Sequence, residues 1–177
     1  MRNLAVSGLV LVLVAGCSTI SVDTDHDPDG DFANYRTFDW IPRSAMKVQD
    51  PEFNQLTDQR IRRAITAQLR AKGIEKADGE TDLIVSYHGA TRERAEVYTT
   101  GWSGYHGYGY WPGYGHSTVE TRYYTEGTLM VDLIDAKRKQ MVWRGKATGV
   151  VGDYESQEAR ISEAVEEMFK RYPPKMK

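Results

Sequence analysis

Apolar positions repeat with the period of a helix in two segments of the chain. Over residues 54–72 the repeat is i, i+4 and i+8, at Ile61, Ile65 and Leu69. Asn54 or Thr57 is a suitable N-cap there, and Gly73 is expected to follow the last turn in a left-handed conformation. Over 155–172 the repeat runs through several turns, at Ile161, Ala164, Val165, Met168, Phe169 and Tyr172. Each segment therefore predicts an amphipathic helix with one buried face.

Elsewhere apolar residues alternate with polar ones or form short runs, which predicts strands. Strands are expected at 20–22, 35–41, 82–88, 92–100, 118–124, 128–135 and 140–151. The last two flank a short polar turn and form the clearest predicted hairpin. Phe38, Trp40 and Trp143 are expected in the core. The order of elements predicts an α+β fold, with an antiparallel or mixed sheet and two helices packed on one face, in a single domain over 20–174.

The amino-terminal end has the pattern of a bacterial export signal. Residues 4–14 are almost purely apolar and follow Arg2, but the run is too short to span a bilayer. It ends in Val-Ala-Gly-Cys at 14–17, which resembles the lipobox of bacterial lipoproteins. That resemblance implies removal of the signal peptide 1–16 and acylation of Cys17, with palmitate among the acyl groups, and leaves 17–19 as a lipid-anchored linker. An ordinary secretory signal with an incidental cysteine is the alternative.

Composition and charge narrow the classes of partner. Lys and Arg number 23 against 25 Asp and Glu in 177 residues, and this net charge of −2 argues against a nucleic-acid partner. The single cysteine excludes an intramolecular disulfide. Ser18, rather than aspartate, follows Cys17. By the sorting rule of Gram-negative lipoproteins this favours the outer membrane, with the domain facing the periplasm.

Residues 101–116 are the most unusual segment of the sequence. They contain six Gly, four Tyr and two Trp, and no charged or aliphatic side chain. The glycines favour a long mobile loop between two strands, and one interpretation is a solvated insertion. The other is a surface that contacts a ligand or partner, because Tyr and Trp bury large rings while keeping a polar group in water. The aromatic candidates are Trp102, Tyr105, Tyr108, Tyr110, Trp111 and Tyr114.

The acidic residues do not assemble a recognisable metal or catalytic motif. Asp25 begins a stretch of alternate aspartates that mimics the start of an EF-hand loop, but Arg36 stands where that loop needs a glutamate. A turn-forming acidic stretch is favoured over a calcium site. Asp132 is interpreted as an exposed or locally paired strand carboxylate, and Asp135 as the residue that initiates the hairpin turn. No metal, cofactor or catalytic residue is predicted.

Short motifs along the chain, in their order and spacing, resemble one known family. The motifs are Asp25, Asp31-Phe32, Tyr35-x-Thr37-Phe38-x-Trp40, Gly73, Asp82-Leu83-Ile84-Val85, Gly127-Thr128-Leu129, Asp132, Asp135, Val142-Trp143-Arg144-Gly145 and Tyr172-Pro173-Pro174. Over roughly 20–174 the chain is similar to the domain-of-unknown-function 4136 family. The resemblance implies a bacterial lipoprotein of compact α+β fold without an assigned activity, and it implies no catalytic residues.

Three hypotheses on function follow. The sequence favours a non-enzymatic envelope lipoprotein, held in the membrane through Cys17, whose domain contacts a protein or the cell wall. The alternative is a module that binds a glycan or another small ligand through 101–116. A hydrolase with an unrecognised site is the third hypothesis, and it requires that one Asp or His substitution abolish turnover.

Overall fold

The computed structural model describes residues 20–42, 54–101, 117–151 and 154–175. Within these ranges the chain forms six strands and two helices, which confirms the predicted α+β class. The strands are β1 (Ser21–His26), β2 (Thr37–Trp40), β3 (Glu75–Lys76), β4 (Leu83–Gly101), β5 (Ser117–Asp135) and β6 (Gln140–Val150). The helices are α1 (Gln55–Ala71) and α2 (Tyr154–Phe169). None of the helices in these ranges is long and apolar enough to cross a membrane.

The described strands form one mixed sheet in the order β1-β6-β5-β4-β2-β3. β4, β5, β6 and β1 pair antiparallel, whereas β2 runs parallel to both β4 and β3. The predicted hairpin is confirmed as β5 and β6. Asp135 initiates its turn as expected, because Oδ1 accepts the backbone N–H groups of Lys137 at 2.9 Å and Arg138 at 2.8 Å. The sequence did not predict β3 or the pairing of β1 with β6.

Both helices cover one face of the sheet, as predicted. The cluster buried between them includes Phe38 and Trp143, which are at most 1% exposed, whereas Trp40 lies at its margin and is partly buried. Helix side chains complete this core: Ile61, Ile65 and Leu69 from α1, and Ala164, Val165, Met168 and Phe169 from α2. The core therefore contains the two apolar stripes that the sequence pattern identified.

The ends of the helices follow local chemistry. The Asn54 side chain accepts the N–H groups of Leu56 and Thr57 and so caps α1, and Gly73 after α1 has a φ of +77°. α2 ends at Phe169, three residues before the predicted end. The cause is the pair of prolines at 173–174, because a residue before proline disfavours the helical conformation. Tyr172 instead packs its ring 5.5 Å from that of Trp143.

The central strands are longer than predicted. The two strands expected at 82–88 and 92–100 are one continuous β4, and those expected at 118–124 and 128–135 are one continuous β5. Glycines interrupt the hydrophobic pattern at both places without interrupting the pairing. Since β6 pairs with β5 only as far as Glu126, residues 93–101 and 117–125 leave the sheet as a two-stranded ribbon. At about 3.4 Å per residue this ribbon is about 30 Å long.

Asp82 fixes the start of parallel strand β2. Its Oδ2 accepts three hydrogen bonds, from the backbone N–H groups of Arg36 at 2.9 Å and Thr37 at 3.0 Å and from the Thr37 hydroxyl at 2.9 Å. The bond from Arg36 is the main cause that lowers the pKa of the Asp82 carboxyl below its usual value. The carboxylate thus joins two segments that are far apart in the sequence.

Acid is therefore expected to weaken the fold through Asp82. The pKa of Asp82 is lower in the folded chain, so the unfolded chain binds more protons at acid pH. The stabilisation that Asp82 contributes is therefore complete above about pH 4, the ordinary pKa of an aspartate. It is lost as the pH falls through the folded-state pKa. We expect Asp82→Asn to lower the free energy of unfolding by about 2 kcal/mol at pH 7. Urea denaturation from pH 7 to pH 3 should then show a shallower pH dependence for Asp82→Asn than for the native chain. Glu163→Gln, on an exposed position of α2, is the control, and equal slopes for the native chain and Asp82→Asn would contradict the assignment.

Candidate functional site

The ribbon has one face with most of its charged side chains and another face on which Ala95, Val97 and Tyr123 accompany Glu93. On the charged face Arg94 is paired with Glu126 at 3.0 Å, and Glu96 lies opposite Arg122 in the register. Because side chains alternate between the faces of a strand, the intervening positions share the other face. There Ala95 lies opposite Tyr123, and Val97 lies opposite Thr121. The ribbon is therefore amphipathic although no element packs on it among the described residues.

The ribbon has the most exposed of the large apolar side chains described in the sheet. Tyr123 is 77% exposed and Val97 is 62% exposed. Each described side chain over 93–98 and 120–123 is exposed, so this part of the ribbon adds nothing to the core. The sequence contained one signal of the ribbon, which is the pair of extended, polar segments on either side of 101–116.

The candidate site residues of the sequence analysis lie outside the described residues, apart from the boundary position Gly101, where β4 ends. They are Cys17, Trp102, Tyr105, Tyr108, Tyr110, Trp111 and Tyr114. The described chain resumes at Ser117, which pairs with Gly101. The aromatic segment is therefore attached to the two strands of the ribbon at one end, at Gly101 and Ser117. At its other end the ribbon joins the sheet at the boundary of the core.

A polar cluster lies on the sheet face opposite the helices. Asp132 is only 3% exposed, and the Arg144 guanidinium holds both of its carboxylate oxygens, through Nε at 2.6 Å and Nη2 at 2.8 Å. This bidentate pair raises the pKa of Arg144. His88 Nε2 lies 4.0 Å from Asp132 Oδ2, and the Ser86 hydroxyl lies 3.5 Å from the same nitrogen. Asp132 is locally paired as expected, but it is buried rather than exposed.

Ser86, His88 and Asp132 include the residue types of a hydrolytic triad, and their geometry differs from one. In a triad the carboxylate and the nucleophile contact different ring nitrogens of the histidine. Here Ser86 and Asp132 both face Nε2, and Arg144 occupies both oxygens of the carboxylate. Ser86 is also only 4% exposed. The cluster is arranged to hold a buried carboxylate in place.

The acidic stretch of the sequence forms local turns. Asp27 Oδ1 accepts the N–H of Asp29 at 3.0 Å, and Asp27 Oδ2 pairs with Arg138 at 3.0 Å. Asp31 accepts both hydrogen bonds that the Asn34 amide donates to it. Within the described ranges no three His, Cys, Asp or Glu side chains gather to hold a metal ion. The turn-forming interpretation of the stretch is the one the contacts support.

Comparison with solved structures shows the fold. The chain aligns with a PDZ domain protein from Parabacteroides distasonis ATCC 8503 at a TM-score of 0.57 and 18% identity, covering 88% of this chain and 36% of that one. It therefore spans about a third of that protein. A PelC dodecamer from Paraburkholderia phytofirmans aligns at a TM-score of 0.46 and 14% identity, over 84% of this chain and 94% of that one.

Comparison of sequences shows the family. No curated protein matches the chain. The family model described as Domain of unknown function (DUF4136) matches residues 22–174. This range contains every described strand and helix, except that β1 begins one residue earlier, at Ser21. The match confirms the expected family. The chain belongs to the DUF4136 family.

Proposed function

We propose that this protein is a non-enzymatic lipoprotein of the cell envelope whose ribbon presents residues 101–116 to a protein or cell-wall partner. Acyl groups on Cys17 anchor it in the outer membrane, and the domain faces the periplasm. The single observation behind the proposal is the amphipathic ribbon, which extends about 30 Å beyond the last pair of β5 and β6. A segment that only connected two strands would need no such extension.

The surface of the ribbon supports a contact function. Apolar side chains that are exposed together mark sites of interaction more often than isolated ones do. Tyr123 and Ala95 are cross-strand neighbours, and Val97 is the next residue on the same face. While they are exposed, these side chains contribute nothing to the stability of the fold. We infer that they are buried when a partner binds.

The position of β1 suits an anchor at Cys17. Ile20, the first described residue, packs against the core, and β1 begins at Ser21 on the edge of the sheet. Three residues span at most about 11 Å, so an acylated Cys17 would hold the domain close to the membrane surface. Two or three acyl chains are sufficient for stable anchoring.

Crosslinking in intact cells tests the contact function. A photo-reactive residue is placed at Tyr123 on the ribbon, at Tyr110 in the aromatic segment, and at Arg63 on α1 as the control. The exposures of Tyr123 and of the Arg63 side chain are matched, at 77% and 72%. We expect discrete adducts from Tyr123 and Tyr110, with a protein or with cell-wall glycan, and none from Arg63. The same adducts from all three sites would contradict the proposal.

A ribbon deletion separates contact from folding. Arg92 and Glu126 are paired across the strands, so residues 93–125 can be replaced by an Asn-Gly turn that closes the hairpin at this pair. We expect the melting temperature to change by less than about 4 °C, which corresponds to less than about 1 kcal/mol, since the side chains described over 93–98 and 120–125 are exposed or partly buried. The envelope partner should be lost at the same time. A large fall in melting temperature would mean that the ribbon is structural.

The anchor is tested separately, with Cys17→Ala. We expect this variant to leave the outer-membrane fraction and to lose incorporation of labelled palmitate. Ser18→Ala is the control, which should retain both. If Cys17→Ala retained the label, or remained in the outer-membrane fraction, acylation of Cys17 would not be what anchors the protein, and the contact function would stand on the crosslinking alone.

A further inference from the structure

We propose that a cavity at the sheet end of the ribbon binds a straight aliphatic chain that ends in an anionic headgroup. The cavity has a volume of about 130 Å³. It lies between the covered face of the sheet and both helices, which line it with Ile61, Ile161 and Ala164. This inference goes beyond the proposed contact function and does not depend on the anchor at Cys17.

In two cross-strand rows on the floor of the cavity, Leu129 is the one large side chain. One row consists of Gly149, Gly127 and Thr91, and the next consists of Ala147, Leu129 and Gly89. A Cβ atom at Gly127 would lie 2.6 Å from Val151 Cγ2, and a Cβ atom at Gly149 would lie 3.3 Å from Ile20 Cγ1. The side chains of Val151 and Ile20 therefore close over the glycines and narrow the space to a slot.

The slot has the chemistry of an apolar site. Most of its lining is aliphatic or glycine, with Thr57, Thr91 and Thr128 among it, and enclosed cavities of about 150 Å³ with aliphatic walls bind small hydrocarbons. Beyond the cavity the covered face of the sheet continues without a register shift past Glu93 and Thr125, which lie opposite each other, to Ala95, Tyr123 and Val97. The narrowness of the slot between Val151 and Ile20 favours an extended chain over a compact ring.

Polar groups stand on the helix side of the cavity. Arg160 Nη1 donates to the Val150 carbonyl at 3.0 Å, which uses one of the five N–H donors of the guanidinium. Gln157 Oε1 accepts from Arg60 at 2.7 Å, so the amide N–H₂ of Gln157 is oriented by that bond. Both side chains line the cavity. The N–H donors of the arginine guanidinium match the oxygen acceptors of a carboxylate or phosphate. Arg160 therefore favours an anionic headgroup.

Photolabelling of the full-length chain in phospholipid nanodiscs tests this site. One arm uses decanoic acid with a terminal diazirine, and the other uses a phosphatidylglycerol whose acyl chain has the same diazirine. Labelled positions are mapped by mass spectrometry. We expect labels on the peptides that contain Leu129 and Ile161. The arm that gives them decides whether the chain comes from a free fatty acid or from a membrane lipid.

A matched pair of variants on α2 makes the test specific. Ala164→Leu fills the cavity, whereas Ala159→Leu makes the same change at an exposed position of the same helix. We expect labelling at Leu129 and Ile161 to fall about tenfold in Ala164→Leu and to stay within twofold in Ala159→Leu. Equal labelling in the two variants, or labels spread over the surface in proportion to exposure, would overturn the proposal.

Arg160→Gln tests the headgroup and remains informative if Ala164→Leu does not fold. We expect labelling by the decanoic acid probe to fall about fivefold, while labelling by the uncharged decanol analogue stays unchanged. An equal fall for both probes would overturn the assignment of an anionic headgroup. The absence of saturable labelling in the native chain, in both arms, would overturn the site.

Discussion

Replacing Arg144 with methionine is expected to lower the free energy of unfolding by about 3 kcal/mol. Arg144 is the partner of Asp132, whose side chain is 4% exposed while that of Arg144 is 41% exposed. The arginine thus closes over the carboxylate, and methionine leaves a buried charge without its bidentate partner. Removal of one member of a buried ion pair is far more costly than removal of both. Urea denaturation followed by circular dichroism measures the change.

Two further variants identify the cause of that loss. Lys146→Met makes the same kind of change two residues along β6, at an exposed position on the same face, and should cost less than about 0.5 kcal/mol. Asp132→Asn combined with Arg144→Met removes the charge that Arg144→Met leaves behind, and should recover about 2 kcal/mol of the loss. If the double variant were no more stable than Arg144→Met, the buried charge would not be the cause.

Trp143→Ala is expected to cost about 4 kcal/mol, the largest loss that we predict for a single residue. Trp143 is 1% exposed, and its ring lies 5.2 Å from that of Phe169 and 5.5 Å from that of Tyr172. Its removal leaves a cavity where three aromatic rings meet, and truncation of a buried tryptophan typically costs 3–5 kcal/mol. The free energy of unfolding in urea is again the measurement.

Gly145 provides an internal check on that packing. A Cβ atom at this position would lie 2.5 Å from Trp143 Cη2 and 2.9 Å from Met168 Sδ, so Gly145→Ala should cost about 2 kcal/mol by overpacking. In the Trp143→Ala background the same substitution should cost about half as much, roughly 1 kcal/mol, because the ring is gone and only the contact with Met168 remains. Additive losses would show that the tryptophan and the glycine do not share this space.

Local signals in the sequence were sufficient for the helices, the hairpin and the fold class. α1 was predicted almost to the residue because one cap, one apolar stripe and one glycine all act within its own segment. The turn after β5 was predicted for the same reason, since Asp135 bonds to backbone groups two and three residues away. The family was predicted from motifs that extend over most of the chain.

Features that depend on distant residues were not predictable in the same way. The burial of Asp132 depends on Arg144 in the neighbouring strand, and the parallel course of β2 depends on Asp82, the residue just before β4. The cavity arises because glycines from three strands fall in adjacent rows, which requires the register to be known. The roles of Cys17 and of the aromatic residues in 101–116 stay predictions.

The place of β1 in the sheet has a consequence for the order of folding. Ser21 pairs with Thr148, so among the described strands the first to be made is hydrogen-bonded to the last and to no other. Contacts of such long sequence separation form slowly, because a long loop must close before they stabilise the structure. Among the described strands β1 therefore has no partner until β6 has been made, and its edge of the sheet is completed late in folding.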